Sequence, residues 1–216
     1  MILNLETASK VAEYLLQAKA IKLQPKNPFT WASGWKSPIY CDNRITLSFP
    51  RIRTYIRQEL AKAIVEKYGE PDVIVGVATG AIAQGALVAE ELGVPFAYVR
   101  SSAKGHGLGN LIEGKVEAGQ RVVVIEDLIS TGGSSLKAVE AIREVGATLL
   151  GMAAIFTYNF QLSFNNFKEA NCELITLSDY DALVQQALYS SYISEADVNL
   201  IKDWRLDPGS WTGELV

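Results

Sequence analysis

The stretch "VVVIEDLISTGGSS", residues 122–135, decides the fold of this chain. Its first residues form an apolar run that predicts a buried strand, with Glu126 and Asp127 at the carboxyl end. A loop of hydroxyls and glycines follows and leads into a helix predicted over 134–146, with a serine as its N-cap. Main-chain N–H groups at a helix start bind anions, and glycine lets a phosphate approach the main chain closely. The stretch therefore predicts a phosphate site at the end of a strand.

The motif matches neither of the two common nucleotide-binding loops. Both the GxxxxGK[ST] spacing of a Walker loop and the GxGxxG spacing of a dinucleotide site are missing. Two adjacent carboxylates beside a phosphate need another ligand group, and the vicinal hydroxyls of a ribose can donate hydrogen bonds to both acids. The alternative is an ordinary turn after a solvated strand end. We favour a site for a ribose 5-phosphate.

The chain around this stretch alternates between short apolar runs and amphipathic runs. Each apolar run is typical of a buried strand, and each amphipathic run ends at a glycine, as helices do. Repeated strand–helix–strand units predict an α/β fold, a mostly parallel sheet flanked by helices with ligands at the carboxyl ends of its strands. The predicted strands are 72–78, 95–100, 121–127 and 147–157, and the helices between them are 81–92 and 134–146.

Further helices are predicted at both ends of the chain. An N-terminal helix precedes an irregular aromatic stretch, "FTWASGWKSPIYCDNR", residues 29–44. A second helix runs from an N-cap at Ser48 to Gly69. The last helix opens with a capping-box pattern at Ser194. The two final helices are predicted near 179–189 and 194–204.

Composition narrows the class of protein. The 216 residues carry a formal net charge of −4, so an anionic ligand must be held by local donors, and general nucleic-acid binding is disfavoured. The apolar stretch "LLGMAAIF", residues 149–156, is far shorter than the roughly 20 residues of a membrane-spanning helix. Cys41 and Cys172 lie outside any CxxC spacing, and no leader pattern follows Met1. We expect a cytoplasmic protein with no membrane association.

The quoted stretch resembles the phosphoribosyl-diphosphate (PRPP) signature of the type I phosphoribosyltransferases. Residues 29–44, "GVATGA" at 76–81 and "RSSAKGHG" at 100–107 are similar, in family order, to segments of the orotate phosphoribosyltransferases. The resemblance implies a type I phosphoribosyltransferase fold with a flexible catalytic loop over about 101–120. It implies one domain over 1–216, with an N-terminal hood (about 1–70), a PRPP-binding core (about 71–180) and C-terminal helices (about 179–216).

The resemblance also implies a reaction and its residues. PRPP and orotate would give orotidine 5′-monophosphate and diphosphate, a step of pyrimidine synthesis. Mg²⁺ would be carried by substrate oxygens, with no metal-ligating protein residues. The protein would be a homodimer whose subunits share the catalytic loop. The implied catalytic residues are Lys104, His106, Glu126 and Asp127. The implied PRPP-binding residues are Arg100, Lys104, His106, Glu126, Asp127, Leu128, Ile129, Ser130, Thr131, Gly132, Gly133 and Ser134.

The base would lie under the hood. By resemblance, Ser130, Tyr40 and Arg44 bind orotate, with Ile39 covering the ring beside Tyr40, whereas Trp31 and Trp35 are assigned to packing. Many family members have an orotate-contacting arginine where this chain has "IFTYNF", residues 155–160. Main-chain N–H groups or Arg44 would then hold the orotate carboxylate.

Two other functions stay open from the sequence. One is a phosphoribosyltransferase for a different base. The other is a regulator that binds PRPP without turnover, although such a protein is expected to carry a helix-turn-helix or a basic face. The basic residues of 100–107 favour catalysis, because they match contacts to the diphosphate leaving group.

Overall fold

The computed structural model describes residues 1–31, 33–102 and 111–212. The N-terminal part begins with helix α1 (Leu5–Gln17), capped by the Asn4 side chain. Two small antiparallel sheets follow, formed by β1 (Ile21–Leu23) with β4 (Ile39–Cys41) and by β2 (Phe29–Thr30) with β3 (Lys36–Ser37). A 3₁₀ helix, Asn43–Ser48, then leads into helix α2 (Pro50–Tyr68).

The rest of the described chain builds a central sheet and the helices around it. Its strands are β5 (Val73–Val77), β6 (Phe96–Val99), β7 (Ile112–Glu113), β8 (Arg121–Ile129), β9 (Thr148–Thr157) and β10 (Leu174–Asp179). Its helices are α3 (Ile82–Leu92), α4 (Gly133–Glu144), α5 (Gln161–Glu169), α6 (Tyr180–Tyr189) and α7 (Glu195–Leu206).

Strand order places β8 inside the sheet. Among the described strands the order is β10-β9-β8-β5-β6-β7, and every neighbouring pair is parallel except β6 with β7. Helices cover both faces, with α4 and α5 on one and most of the others on the opposite face. The residues Val122–Ile125 of β8 are fully buried, which is why this strand reads as a continuous apolar run. The predicted fold class is confirmed.

Two predicted helix caps were wrong, and in both places no side chain caps the helix. Ser48 ends the 3₁₀ helix, and α2 begins at Pro50 after Phe49. The serine cap expected for α4 is replaced by Gly132, which has a left-handed φ of +86° and no side-chain capping bond. The capping box at Ser194 is confirmed.

Besides the short strands β1–β4 and β7 and the 3₁₀ helix, sequence patterns also missed one helix and one longer strand. Helix α5 has only two buried residues, Ser163 and Phe167, so its apolar period is weak. Strand β10 was not predicted either, although it pairs with β9 along five registered positions. Within the described ranges, no helix has the length and apolar character needed to cross a bilayer.

Candidate functional site

The site is built around the two acids at the carboxyl end of β8. Glu126 is 5% exposed, and its two carboxylate oxygens are both engaged. The Ser135 hydroxyl donates to Oε2 at 2.8 Å, and the Asp127 N–H donates to Oε1 at 3.1 Å. Asp127 is half-buried beside it. The acid pair is therefore held by its own strand and by the first turn of α4.

Burial controls the charge of this pair. Removal from water raises the pKa of Glu126 to about 8, and the neighbouring Asp127 charge acts in the same direction. Burial also raises the pKa of Asp127, opposed by its hydrogen bond to Glu126 and by the positive charge of Arg44. The two acids interact, so their protons leave in steps that belong to the pair. Near neutral pH the pair therefore carries fewer than two negative charges.

The start of α4 lies next to the acids. Gly132 adopts its left-handed conformation against the Phe167 ring, where a Cβ atom would come within 2.6 Å of a ring carbon. No side chain caps the helix, so the first main-chain N–H groups remain open to an anion. The Thr131 carbonyl accepts a hydrogen bond from the Asn166 side chain at 2.9 Å, which fixes the turn before the helix.

A cavity of about 450 Å³, here the central cavity, opens above the acid pair. Ser134 of α4 lines one part, and Val77 at the end of β5 with the residues up to Gly80 lines another. The peptide bond between Ala78 and Thr79 is cis. Gly80 packs so closely on the Asp127 carboxylate that an added Cβ would overlap it. Ends of two adjacent parallel strands thus supply the walls, as expected for an α/β sheet.

A second cavity of about 270 Å³, here the base cavity, adjoins the first. Cys41 and Leu128 line both cavities. The structure places the predicted base contacts Tyr40 and Ser130 in its wall, together with Trp31. The predicted cover Ile39 is fully buried in the core and does not line this cavity.

Two predicted basic residues are engaged in ion pairs. Arg44 lines the central cavity and forms a two-point ion pair with Asp42, with N–O distances of 2.7 and 2.8 Å. Its hydrogen bond to Asp42 raises the pKa of Arg44, so the guanidinium stays charged. The Arg100 guanidinium lies 3.5 Å from Glu113 on β7 and does not line the central cavity, whereas the next residue, Ser101, does.

The remaining predicted residues divide into three groups. The Ile129 side chain is fully buried and its carbonyl accepts from Tyr158 N–H, so neither group is available to a ligand. The rings of Trp31 and Trp35 stack with their centroids 6.5 Å apart, which agrees with a packing role. Lys104 and His106 lie outside the described residues.

Sequence reasoning missed Asn43 and Ser135. Asn43 is 2% exposed, and its side-chain amide donates to the main-chain carbonyl of Asp127. The Cys41 thiol donates to the Asn43 side-chain oxygen at 3.3 Å. The two residues stand within quoted motifs, but only their buried contacts show that they hold the acid pair.

The donor chemistry of the central cavity suits a hard divalent cation in part. Asp127 and Asp42 line it, and carboxylate oxygens are ligands that Mg²⁺ accepts. Among the described residues, no group of three or more His, Cys, Asp or Glu side chains is placed to hold a metal ion. Oxygens from a phosphorylated substrate would have to complete the shell of Mg²⁺.

The fold is that of a phosphoribosyltransferase. A sequence model of the phosphoribosyl transferase domain matches residues 52–190. An orotate phosphoribosyltransferase of Phocaeicola vulgatus is 61% identical over 200 residues, covering 93% of this chain and 94% of that protein. This chain belongs to the orotate phosphoribosyltransferase family.

Solved structures agree with that assignment. The structure of Leishmania donovani UMP synthase matches 94% of this chain with a TM-score of 0.78 and 25% identity, and the chain spans 42% of that longer protein. The orotate phosphoribosyltransferase of Aeropyrum pernix matches 85% of this chain and 99% of its own length, with a TM-score of 0.73 and 24% identity. The second match supports the fold alone.

Proposed function

We propose that this chain transfers the 5-phosphoribosyl group of PRPP to orotate, giving orotidine 5′-monophosphate and diphosphate, a step of pyrimidine synthesis. The observation that carries this proposal is the acid pair beneath a central cavity that adjoins the base cavity. A ribose above Glu126 and Asp127 has its 5-phosphate directed to the start of α4. Its C1 atom then faces the base cavity.

The acid pair acts on the ribose. As the C1–O bond breaks, its electron pair leaves with diphosphate and the ribose becomes cationic. Glu126 and Asp127 accept hydrogen bonds from the ribose hydroxyls and stabilise that charge from a largely buried position, where electrostatic effects are strong. The N1 atom of orotate then bonds to C1 and loses its proton, which diphosphate or water takes up. No protein nucleophile is needed.

The leaving group needs positive charge and hydrogen-bond donors. In our proposal Lys104 and His106 supply both to the diphosphate, and His106 is suited to deliver a proton because its unperturbed pKa is near 6.5. Arg100 contributes only after its guanidinium turns from Glu113. Mg²⁺, held by substrate oxygens with the Asp127 carboxylate nearby, would neutralise charge on the diphosphate.

Base recognition falls to the residues around the base cavity. The Ser130 hydroxyl and the Tyr40 side chain line it, and we assign them to hydrogen bonding and ring contact, respectively. Arg44 lines the adjoining cavity, and its charge makes it the candidate partner for the orotate carboxylate. That role requires the guanidinium to share its donors between Asp42 and the substrate.

A base panel tests the reaction. The purified protein is mixed with PRPP and Mg²⁺, and the ultraviolet absorbance of orotate, uracil, adenine and hypoxanthine is followed in parallel. We expect loss of orotate alone, strongly slowed by Lys104→Ala. Consumption of another base instead would keep the PRPP site and overturn the substrate assignment. PRPP binding with no base consumed would favour a regulator.

Mixed subunits test the proposed homodimer. If the loop that carries Lys104 serves the neighbouring subunit, a dimer of one Lys104→Ala subunit and one Asp127→Asn subunit has one intact site. Mixing the two inactive variants should therefore restore activity. A mixture that forms hybrid dimers but stays inactive would show that each subunit uses its own loop.

A further inference from the structure

Tyr158 is a buried tyrosine in the wall of the base cavity. It directly follows β9 and is 2% exposed, and its main-chain N–H bonds to the Ile129 carbonyl at 3.1 Å. Its side chain lines the base cavity with Tyr40 and Ser130. The sheet thus brings the end of β9 beside the end of β8, where the acid pair lies.

The Tyr158 hydroxyl has no hydrogen-bond partner among the described residues. It is not sealed inside the protein, unlike the hydroxyl of Tyr180, which is enclosed without a partner. The ionisable groups that act on the Tyr158 hydroxyl are Cys41 and Tyr40, and both line the base cavity. The phenol therefore points its polar end toward that cavity.

An aromatic cluster fixes the ring of Tyr158. Its ring centroid lies 5.3 Å from that of Trp31, 5.4 Å from Phe160 and 5.7 Å from Trp204. Trp204 of α7 is fully buried, and its indole N–H donates to the Lys36 carbonyl at 3.1 Å. Edge-to-face and offset contacts of this kind hold rings in defined orientations.

We propose that Tyr158 is a base-binding residue whose hydroxyl donates to an exocyclic oxygen of the base, and that Trp204 is the positioning residue that holds it there. The inference rests on the proposed function, which brings a base to this cavity. It also assigns a role to α7, because that helix carries Trp204. Both Trp204 and Trp31 lie outside the 52–190 range that the family model matches.

The chemistry of the phenol suits this role. Burial raises the pKa of Tyr158 well above its ordinary value, so the hydroxyl remains a neutral donor. An exocyclic oxygen of a pyrimidine is an acceptor, and a base without one there would leave the donor unpaired at a cost. Because the aromatic cluster already holds the Tyr158 ring in place, the hydroxyl keeps its direction and the side chain has little freedom left to lose when the base binds.

Tyr158→Phe tests the contact while keeping the ring and its packing. We expect the KM for orotate to rise about three- to tenfold, the range for one hydrogen bond, with an unchanged KM for PRPP. Tyr180→Phe is the matched control, because it removes the unpartnered hydroxyl of another buried tyrosine, away from the base cavity. The control should keep the wild-type KM values.

Trp204→Phe tests the positioning role. We expect a lower melting temperature together with a raised KM for orotate, an unchanged KM for PRPP and a kcat close to wild type. Phe160→Leu thins the same cluster and serves if Trp204→Phe does not fold. A loss of stability or kcat with no change in the orotate KM would show a merely structural role and overturn this part.

The wild type separates failure of this inference from failure of the proposed function. If it consumes orotate and Tyr158→Phe has the wild-type KM, the inference alone fails. If the wild type consumes another base of the panel instead, or calorimetry shows that it binds one instead, the substrate assignment fails. The effect of Tyr158→Phe on that base then still decides the inference. Absence of binding of any base would overturn both.

Discussion

The side-chain amide of Asn43 donates a hydrogen bond to the main-chain carbonyl of Asp127, at 2.5 Å and across 84 positions of sequence. Asn43 begins the 3₁₀ helix that follows β4, whereas Asp127 is at the end of β8. The Cys41 thiol completes the chain of contacts by donating to Asn43. The strand β4, which lines the base cavity, is therefore linked through Asn43 to the acid pair.

Replacement of this amide should damage both stability and activity. Asn43→Ala leaves the Asp127 carbonyl without its buried partner, which costs about 1–3 kcal/mol of unfolding free energy. We expect kcat/KM to fall as well, because the acid pair loses its support. Denaturant unfolding and steady-state kinetics measure the two effects. Asn165→Ala is the control, because that side chain is exposed and bonds only locally to Gln161; equal effects in both variants would contradict the account.

Gly80→Ala should act on the carboxylate of Asp127. The new methyl group would overlap the carboxylate and push it from its position. Displacement of a catalytic group by about 1 Å can cost about a hundredfold in rate, so we expect a loss of that order in kcat/KM. Gly209→Ala is the control, since its added methyl meets only ordinary contacts to Trp35 and Asp207. A Gly80→Ala enzyme with wild-type kinetics would show that Asp127 tolerates displacement.

Glu126→Gln should separate stability from function. The folded pKa of Glu126 is raised from 4.5 to about 8, so its contribution to stability is present below pH 4.5 and is lost as the pH rises toward 8. A neutral amide does not pay this penalty. We expect Glu126→Gln to be more stable than wild type at pH 9 by at least about 1 kcal/mol, with a smaller difference at pH 5, although its activity falls.

The control for that comparison is Glu144→Gln, which changes an exposed glutamate at the end of α4. Its stability relative to wild type should show little dependence on pH between 5 and 9. Thermal unfolding of the three proteins at both pH values gives the comparison. A Glu126→Gln variant that is less stable than wild type at pH 9 would contradict the burial argument.

Ser135→Ala should shift the pH dependence of the reaction. The Ser135 hydroxyl bonds to Glu126 and lowers the pKa of Glu126, against the larger effect of burial. Without the Ser135 hydroxyl, the acid pair Glu126 and Asp127 loses its proton at higher pH. We expect the rising limb of kcat/KM against pH to move to higher pH, with about a three- to tenfold loss at pH 7. Ser163→Ala, which removes a buried hydroxyl bonded to the Phe160 carbonyl, should leave the limb in place.

Local patterns predicted the centre of the site from the sequence. The acid pair, the glycine turn and the start of α4 follow one another within 122–135, so strand periodicity and helix-start chemistry were enough to place them together. The capping box at Ser194 was predictable for the same reason. The start of α4 after Gly132 was not, because no side chain caps the helix there and the Phe167 ring of another helix leaves no room for a Cβ atom at Gly132.

Contacts between distant parts of the chain could not be predicted in this way. Asn43 reaches Asp127 only because the 3₁₀ helix packs on β8, and Tyr158 reaches the base cavity only because β9 pairs with β8. Trp204 joins Trp31 from the opposite end of the chain. No local period encodes such pairs. The resemblance named Tyr40, which lines the base cavity, but it also named Ile39, which the structure buries in the core.

The most direct measurement is orotate consumption in the presence of PRPP and Mg²⁺ by the wild type and by Asp127→Asn, with the folded state of both checked by circular dichroism. The account predicts that the wild type converts orotate to its nucleotide and that folded Asp127→Asn does so at most at a small fraction of that rate. Equal rates from the two proteins would contradict the central role of the acid pair, and a wild type that leaves orotate unchanged would contradict the proposed reaction.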